Sequence, residues 1–375
     1  MIFLVFLVLV ISFSYLGDEK VSGERNATFF RIALILILSY LPGMGGDLYE
    51  DHQSYLTMFK NIDKFNFSDI DDLETFLGKS ESGGERAESC FLLFCKLLYM
   101  IGLSEVGIFL VLAIITNTLL VKTYYRFEFP VLIFLIFICS ANYFQEANLV
   151  RQMLAISILI YSTNYIVYRK WGKYLLCCLL AYLIHRSSIM MAPFVLLCFD
   201  NKSYKYLRFI FMGLWGLSVL IALKFIIIDM SLLLVIDVLS DMYGMYITND
   251  DTIGIDNLKF NFLFNGLVLL LFFLYKDNQE KNVYAYLFIL GIIFFNISVQ
   301  VPNFSRISLI FTIVNPVFVP YIITLFAKIN KKFELQKILV VFVGFYYVTI
   351  FYRVLLLESN YIGKNLHGFS EIFRW

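Results

Sequence analysis

An all-α, polytopic membrane protein of about twelve helices is the fold class this sequence predicts, and three observations predict it. Of 375 residues, 60% are hydrophobic and only 16% charged, with a mean hydropathy of +0.77, whereas soluble domains carry about a quarter charged residues. The apolar residues gather into runs separated by short polar links, and the charge of those links alternates in sign along the chain. A helix needs roughly 20 apolar residues to cross a hydrocarbon core about 30 Å thick, so the length holds about a dozen crossings and no separate soluble domain. Residues 1–375 therefore read as one transmembrane domain.

The runs fall at 2–15, 29–41, 105–121, 129–141, 149–168, 174–184, 189–199, 207–228, 260–275, 283–299, 307–327 and 338–357. The first has no basic leading segment and no small-residue cleavage site before Asp18 and Glu19, which predicts a retained helix rather than a signal peptide. Residues 90–103 read as a helix lying in the interface or extending the next span. Runs 174–184 and 189–199 are too short to cross alone, and His185-Arg186-Ser187-Ser188 lies between them. They read as a broken or re-entrant pair, with a cavity near His185, because non-helical backbone at membrane depth needs protein or a water-filled cavity to cover it. No internal repeat or low-complexity tract is present.

Orientation follows from lysine and arginine in short loops, which stay cytoplasmic. Lys122 and Arg126; Arg169, Lys170 and Lys173; Lys202, Lys205 and Arg208; Lys276 and Lys281; and Lys328, Lys331, Lys332 and Lys337 mark one side. The two longer loops, about 43–89 and 229–257, are rich in aspartate and glutamate and are external. With twelve crossings both termini fall outside.

Several classes are excluded. A net charge of +1 and a pI near 7.5 do not fit a nucleic-acid binder. The six cysteines lie in or beside apolar runs with no metal-site spacing and read as small core residues. No glycine-rich dinucleotide fingerprint is present, which disfavours a nucleotide-sugar donor.

Four clusters at the external ends of the spans hold residues suited to chemistry. The first, residues 43–55, crowds Asp47, Tyr49, Glu50, Asp51, His52 and Tyr55 into a few turns. Crowded carboxylates repel, so one can retain a proton and act as acid or base; a solvated loop is the plainer reading. In the second, Asn148, Arg151 and Gln152 open a span. An arginine one turn inside an apolar run needs a partner or a cavity, either Glu146 as a structural partner or phosphate oxygens met by the guanidinium fork. The third is His185-Arg186, where a core histidine and a catalytic one are both consistent with the sequence; the other histidines are His52 and His367. The fourth, Asn303 and Arg306, again places an arginine at an outer mouth, with snorkelling as the alternative.

With these pieces in order, the chain resembles the EpsG-like branch of the Wzy polysaccharide polymerases. Gly46-Asp47 through Asp51-x-x-x-Tyr55-x-x-x-Phe59 is similar to an acidic-aromatic motif after an early span. Asn148-x-x-Arg151-Gln152-x-x-Ala155 resembles the family's most recognisable signature, followed by Ala181-x-x-x-His185-x-Ser187-Ser188-x-x-x-x-Pro193 and the late Arg306. Pro42-Gly43-Met44-Gly45 departs from the arginine or small residue expected before the aspartate, so Asp47 and Asp51 both stand for it.

The resemblance implies a GT-C-like, metal-independent and cofactor-free inverting glycosyltransferase of the bacterial inner membrane. It would use undecaprenyl-diphosphate-linked oligosaccharide on the outer face in O-antigen, capsule or exopolysaccharide synthesis, with a chain-length regulator as a partner. Under it, Arg151, Arg186 and Arg306 bind the diphosphate, His185 is the first choice of base and Asp51 or Asp47 the second, and Tyr49, Glu50, His52, Tyr55, Asn148, Gln152 and Asn303 support the sugars. A lipid-linked oligosaccharide flippase or other transporter is the alternative from another class; it predicts mid-span charge, of which Lys224 is the main instance. An O-antigen ligase shares the same outer arginines and histidine.

Overall fold

The computed structural model describes residues 2–44, 50–65, 76, 79–82, 85–139, 142–198, 204–227, 265–266, 279–301, 304–330, 338 and 340–349. The apolar runs within them fold as helices, as an all-α membrane protein requires. The chain divides into two compact units, Met1–Val195 with Lys332–Trp375, and Leu196–Lys331.

The first unit opens with α1 (Ile2–Leu16) and α2 (Glu19–Met44), which pack together. The segment 45–88, expected as an external loop, carries structure of its own: helix α3 (Glu50–Lys60) and an antiparallel hairpin of β1 (Lys79–Ser82) and β2 (Glu85–Glu88), with Lys79 opposite Glu88. Helix α4 (Ser89–Met100) follows. It does not extend the next span. Gly102, at φ +93°, closes it with the paired bonds Gly102 N–H to Tyr99 O and Leu103 N–H to Leu98 O, a left-handed position that glycine occupies without a Cβ penalty.

Helix α5 (Glu105–Tyr124) then starts on Ser104, whose hydroxyl accepts from Gly107 N–H, with Glu105 in the first turn and Lys122 in the last to suit the helix dipole. Against it α2 comes so close that a Cβ on Gly43 would sit 3.0 Å from Leu110 Cα. Phe59, Phe91 and Phe109 bind α3 and α4 to the start of α5 in one buried aromatic cluster.

The run 129–141 holds one helix. Helix α6 (Pro130–Cys139) stops and the short α7 (Asn142–Asn148) follows before α8 (Val150–Val167). Inside the bundle Tyr143 donates its hydroxyl proton to Leu38 O, and Glu146 Oε1 accepts from Asn117 Nδ2 at 2.7 Å, while Glu146 Oε2 is buried with no partner among the described residues. After α8 come α9 (Trp171–Ile184), an extended His185 and a 3-10 helix, Arg186–Cys198. Tyr174, near the start of α9, donates to Met191 O, so the 3-10 helix runs back alongside α9. At about 2.0 Å per residue its 13 residues reach ~26 Å. Helix α14 (Val340–Thr349) packs its Gly344 near Leu132 and Leu135 of α6.

In the second unit α11 (Gln279–Ser298) packs against α10 (Tyr204–Ala222), α12 (Phe304–Thr312) and α13 (Asn315–Asn330). A Cβ on Gly291 would lie 2.9 Å from Thr312 Cγ2, and Ser308 Oγ donates to Gly291 O at 2.9 Å; small residues and hydroxyls take the place of the hydrophobic drive that lipid cannot supply. Trp215, Asn265, Asn296 and Ser218 form a hydrogen-bonded chain across it. Lys224 is not mid-span: α10 ends at Ala222 and Lys224, at φ +60° and exposed, lies past that end.

Among the described residues Glu19–Gly43 and Glu105–Tyr124 are long and apolar enough to cross a membrane, and Arg306–Thr312 with Asn315–Ile323, bent by 46°, together have the length and apolar character of a broken span or a re-entrant loop. The other apolar helices have 10–17 residues. Run 260–275 lies mostly outside the described residues, as does loop 229–257 entirely.

Candidate functional site

At one end of the first unit the C-termini of α2 and α9 meet the N-termini of α5 and α8. Glu88 sits there, the last residue of β2 and the residue before α4. Its side chain does not cap α4; it reaches across the chain instead. Glu88 Oε2 accepts from Arg151 Nη1 at 2.6 Å, while Oε1 accepts the Arg186 backbone N–H at 3.2 Å and lies 3.5 Å from His185 Nδ1. The Arg186 N–H opens the 3-10 helix, so the positive end of that helix meets the carboxylate.

Arg151 needs that carboxylate. It stands in the first turn of α8, where the dipole disfavours a cation, and its side chain is only 19% exposed. Besides Glu88 it donates through Nε to the Tyr55 hydroxyl at 3.2 Å, and its guanidinium lies 5.6 Å from the Tyr55 ring centre and 6.0 Å from that of Phe91. Glu146, the alternative partner, is engaged with Asn117 instead. Burial pushes the Glu88 carboxyl up, but His185 and Arg151 beside it outweigh burial and hold it well below the usual carboxylate range. It is a permanent anion at neutral pH.

The imidazole of His185 presents Nδ1 to Glu88 at ion-pair distance, and its backbone is extended at the joint between α9 and the 3-10 helix. Next to it Ser187 and Ser188 are buried, and their hydroxyls find no hydrogen-bond partner among the described residues. Across the cluster His52 stacks on Phe109, ring centres 4.1 Å apart, and Tyr55 meets the same ring edge-on.

The structure therefore brings together Tyr55, Arg151, His185 and the backbone of Arg186 around Glu88, with His52 on the adjoining aromatic cluster. Gln152 is buried on α8, and Asn148 ends α7, half-buried. Glu50 and Asp51 open α3, but their side chains, together with Asp47, Tyr49 and Asn303, lie outside the described residues. Arg306 stands half-buried on α12 of the second unit. Glu88 is the residue that sequence reasoning passed over, counting it as one more acid of a solvated loop. Its position as the last carboxylate before the apolar stretch 90–101 was the available signal.

Apolar helices carrying a buried carboxylate, guanidinium and imidazole at one bundle end define a helical membrane protein with an ionisable site. The model of the EpsG family matches residues 28–362, which include every residue of this cluster. The chain belongs to the EpsG family. No curated protein and no solved structure matches it.

Proposed function

We propose that this EpsG-family protein is a polysaccharide polymerase, an inverting glycosyltransferase that joins undecaprenyl-diphosphate-linked oligosaccharide repeat units on the outer face of the bacterial inner membrane. The observation that carries this reading is the Glu88 carboxylate held between Arg151 and His185 at one bundle end. The opposite end of the same unit bears Lys122, Arg126, Arg169 and Lys170, so the positive-inside rule turns the Glu88 end outward.

In this mechanism Glu88 fixes the ring of His185 through Nδ1, leaving Nε2 to take the proton of an acceptor sugar hydroxyl. The freed oxygen bonds to the anomeric carbon of the donor while the bond from that carbon to the diphosphate oxygen breaks, and the diphosphate leaves with the electron pair. A single displacement inverts the anomeric configuration. Arg151 and Arg186 strengthen their hydrogen bonds as charge builds on the leaving group; a guanidinium has five N–H donors, so pairing with Glu88 is compatible with further acceptors. Glu88 leaves the cluster with net positive charge only through Arg186, which suits a donor diphosphate that binds with two negative charges and gains a third as it leaves. Arg306 is tested in the same series.

The test places Glu88→Gln, Arg151→Lys, His185→Gln and Arg306→Lys singly in a host lacking the gene, confirms the protein's membrane level, and runs the surface polysaccharide on a gel. A polymerase defect leaves single repeat units without a ladder. A ligase defect leaves uncapped core. Normal ladders from the Glu88, Arg151 and His185 variants would overturn the assignment.

A further inference from the structure

At the other end of the first unit, opposite Glu88, a cavity of about 780 Å³ opens between the α1–α2 turn, the α5–α6 turn and α14. That size is typical of a small-molecule site. Its inner wall is apolar, built by Leu132 and Leu135 of α6 and Val340 and Val341 of α14. Its rim carries four charges of both signs: Asp18, Lys20, Arg126 and Glu128.

The rim is framed rather than loose. Tyr125 donates its hydroxyl proton to Ser14 O at 3.0 Å, and Arg31 donates Nε–H to Gly17 O at 2.8 Å while stacking over the Tyr125 ring at 4.4 Å. Arg126 lies over Tyr161 at 4.6 Å. The Asp18 carboxylate accepts the Lys20 backbone N–H at 3.0 Å. Among the described residues neither Lys20 nor Glu128 enters an ion pair. A cation and an anion thus wait at the mouth of an apolar cleft, with a second of each beside them.

We infer that this cleft holds one membrane glycerophospholipid with a zwitterionic, primary-ammonium headgroup. Its phosphate meets Lys20 and Arg126, its ammonium meets Glu128 and Asp18, and an acyl chain lies along Leu135 and Val341. Charge complementarity selects this occupant. A purely anionic headgroup would face two carboxylates without a cation to offer them. A trimethylated ammonium has no N–H donors for those carboxylates. By the loop charges this end faces the cytoplasmic leaflet.

Native mass spectrometry of the full chain, purified in detergent and offered phosphatidylethanolamine, phosphatidylglycerol or phosphatidylcholine, tests the inference. Wild type retains one phosphatidylethanolamine in preference to the other two. The double variant Lys20→Met, Glu128→Gln lowers that retention at least about fivefold through the lost lysine alone, and Gly344→Trp, which fills the cleft beside Leu135, abolishes it. Should Gly344→Trp fail to fold, the charge variant decides alone, since both its positions are exposed. Equal retention of all three lipids, preference for phosphatidylglycerol, or wild-type retention by the charge variant would each overturn the inference. The polysaccharide ladder stays normal in the charge variant, so failure here is distinct from failure at Glu88.

Discussion

The pairing of Glu88 with Arg151 makes a quantitative prediction about the stability of the site end of the first unit. Glu88 is 5% and Arg151 19% exposed, and their nitrogen and oxygen are 2.6 Å apart. Removing one partner of a buried ion pair costs about 3–5 kcal/mol, because the other charge is left without compensation. Arg151 keeps some solvent and the Tyr55 hydroxyl, which lowers the expected cost of Glu88→Met to about 2–3 kcal/mol. At about 2–4 °C per kcal/mol for a protein of larger size, the melting midpoint falls by about 4–12 °C. Arg151→Met should cost a similar amount, since Glu88 would then keep only the Arg186 N–H and the imidazole of His185. In the double variant neither charge of the pair remains, and an apolar pair of similar volume is often neutral; the lost acceptor for Arg186 N–H leaves a residue of about 1 kcal/mol. Thermal melts of the three purified variants in one detergent measure the cycle. A coupling of about 2 kcal/mol or more is expected. If the double variant instead loses the sum of the singles to within about 0.5 kcal/mol, the two groups are energetically independent, and the account of how this end is held together is wrong.

Two further outcomes follow. Because Glu88's carboxyl is held below its ordinary 4.5 in the folded protein, its stabilising effect is complete above that value and is lost as pH falls through the lower, folded-state value. The melting gap between wild type and Glu88→Gln should therefore be widest near neutrality and close progressively below about pH 4.5; a gap that stays constant into acid would contradict the assignment of charge. In the second unit, Gly291→Ala should cost about 1–3 kcal/mol through the contact with Thr312, and Thr312→Ser, which deletes the offending methyl group, should restore part of it, as read from melting of the double variant.

How much of this was legible in the sequence varies with the kind of physics involved. Hydropathy located the helices well where a run is continuous, as in α1 and α5, because burial in lipid is a one-dimensional property of the chain. It also placed the runs 129–141 and 149–168, which hold α6 and α8, but not the short α7 between them, where Tyr143 and Glu146 bond to Leu38 O and Asn117, residues distant in sequence. The end of α4 was readable in principle from Gly102, whose positive φ stops a helix; of the two readings of 90–103, an interfacial helix or an extension of the next span, it counts against the second. At the site, Arg151 and His185 stood out as charges beside apolar runs. Their shared partner did not, because the acids of residues 47–88 look alike until the hairpin of β1 and β2 delivers one of them to the start of α8. The crowding of Asp47, Glu50 and Asp51 was visible in the sequence, but their side chains lie outside the described residues.

The 3-10 helix that follows His185 has a mechanical consequence. Its 13 residues are drawn out to about 2.0 Å each, where an α-helix would take about 1.5 Å, so rewinding it would shorten this limb by ~6 Å. Arg186, whose N–H holds Glu88, is its first residue. The segment is thus an extended spring anchored at one end to the carboxylate. Any change in its winding pulls on the carboxylate whose Oε1 faces His185 and whose Oε2 holds Arg151.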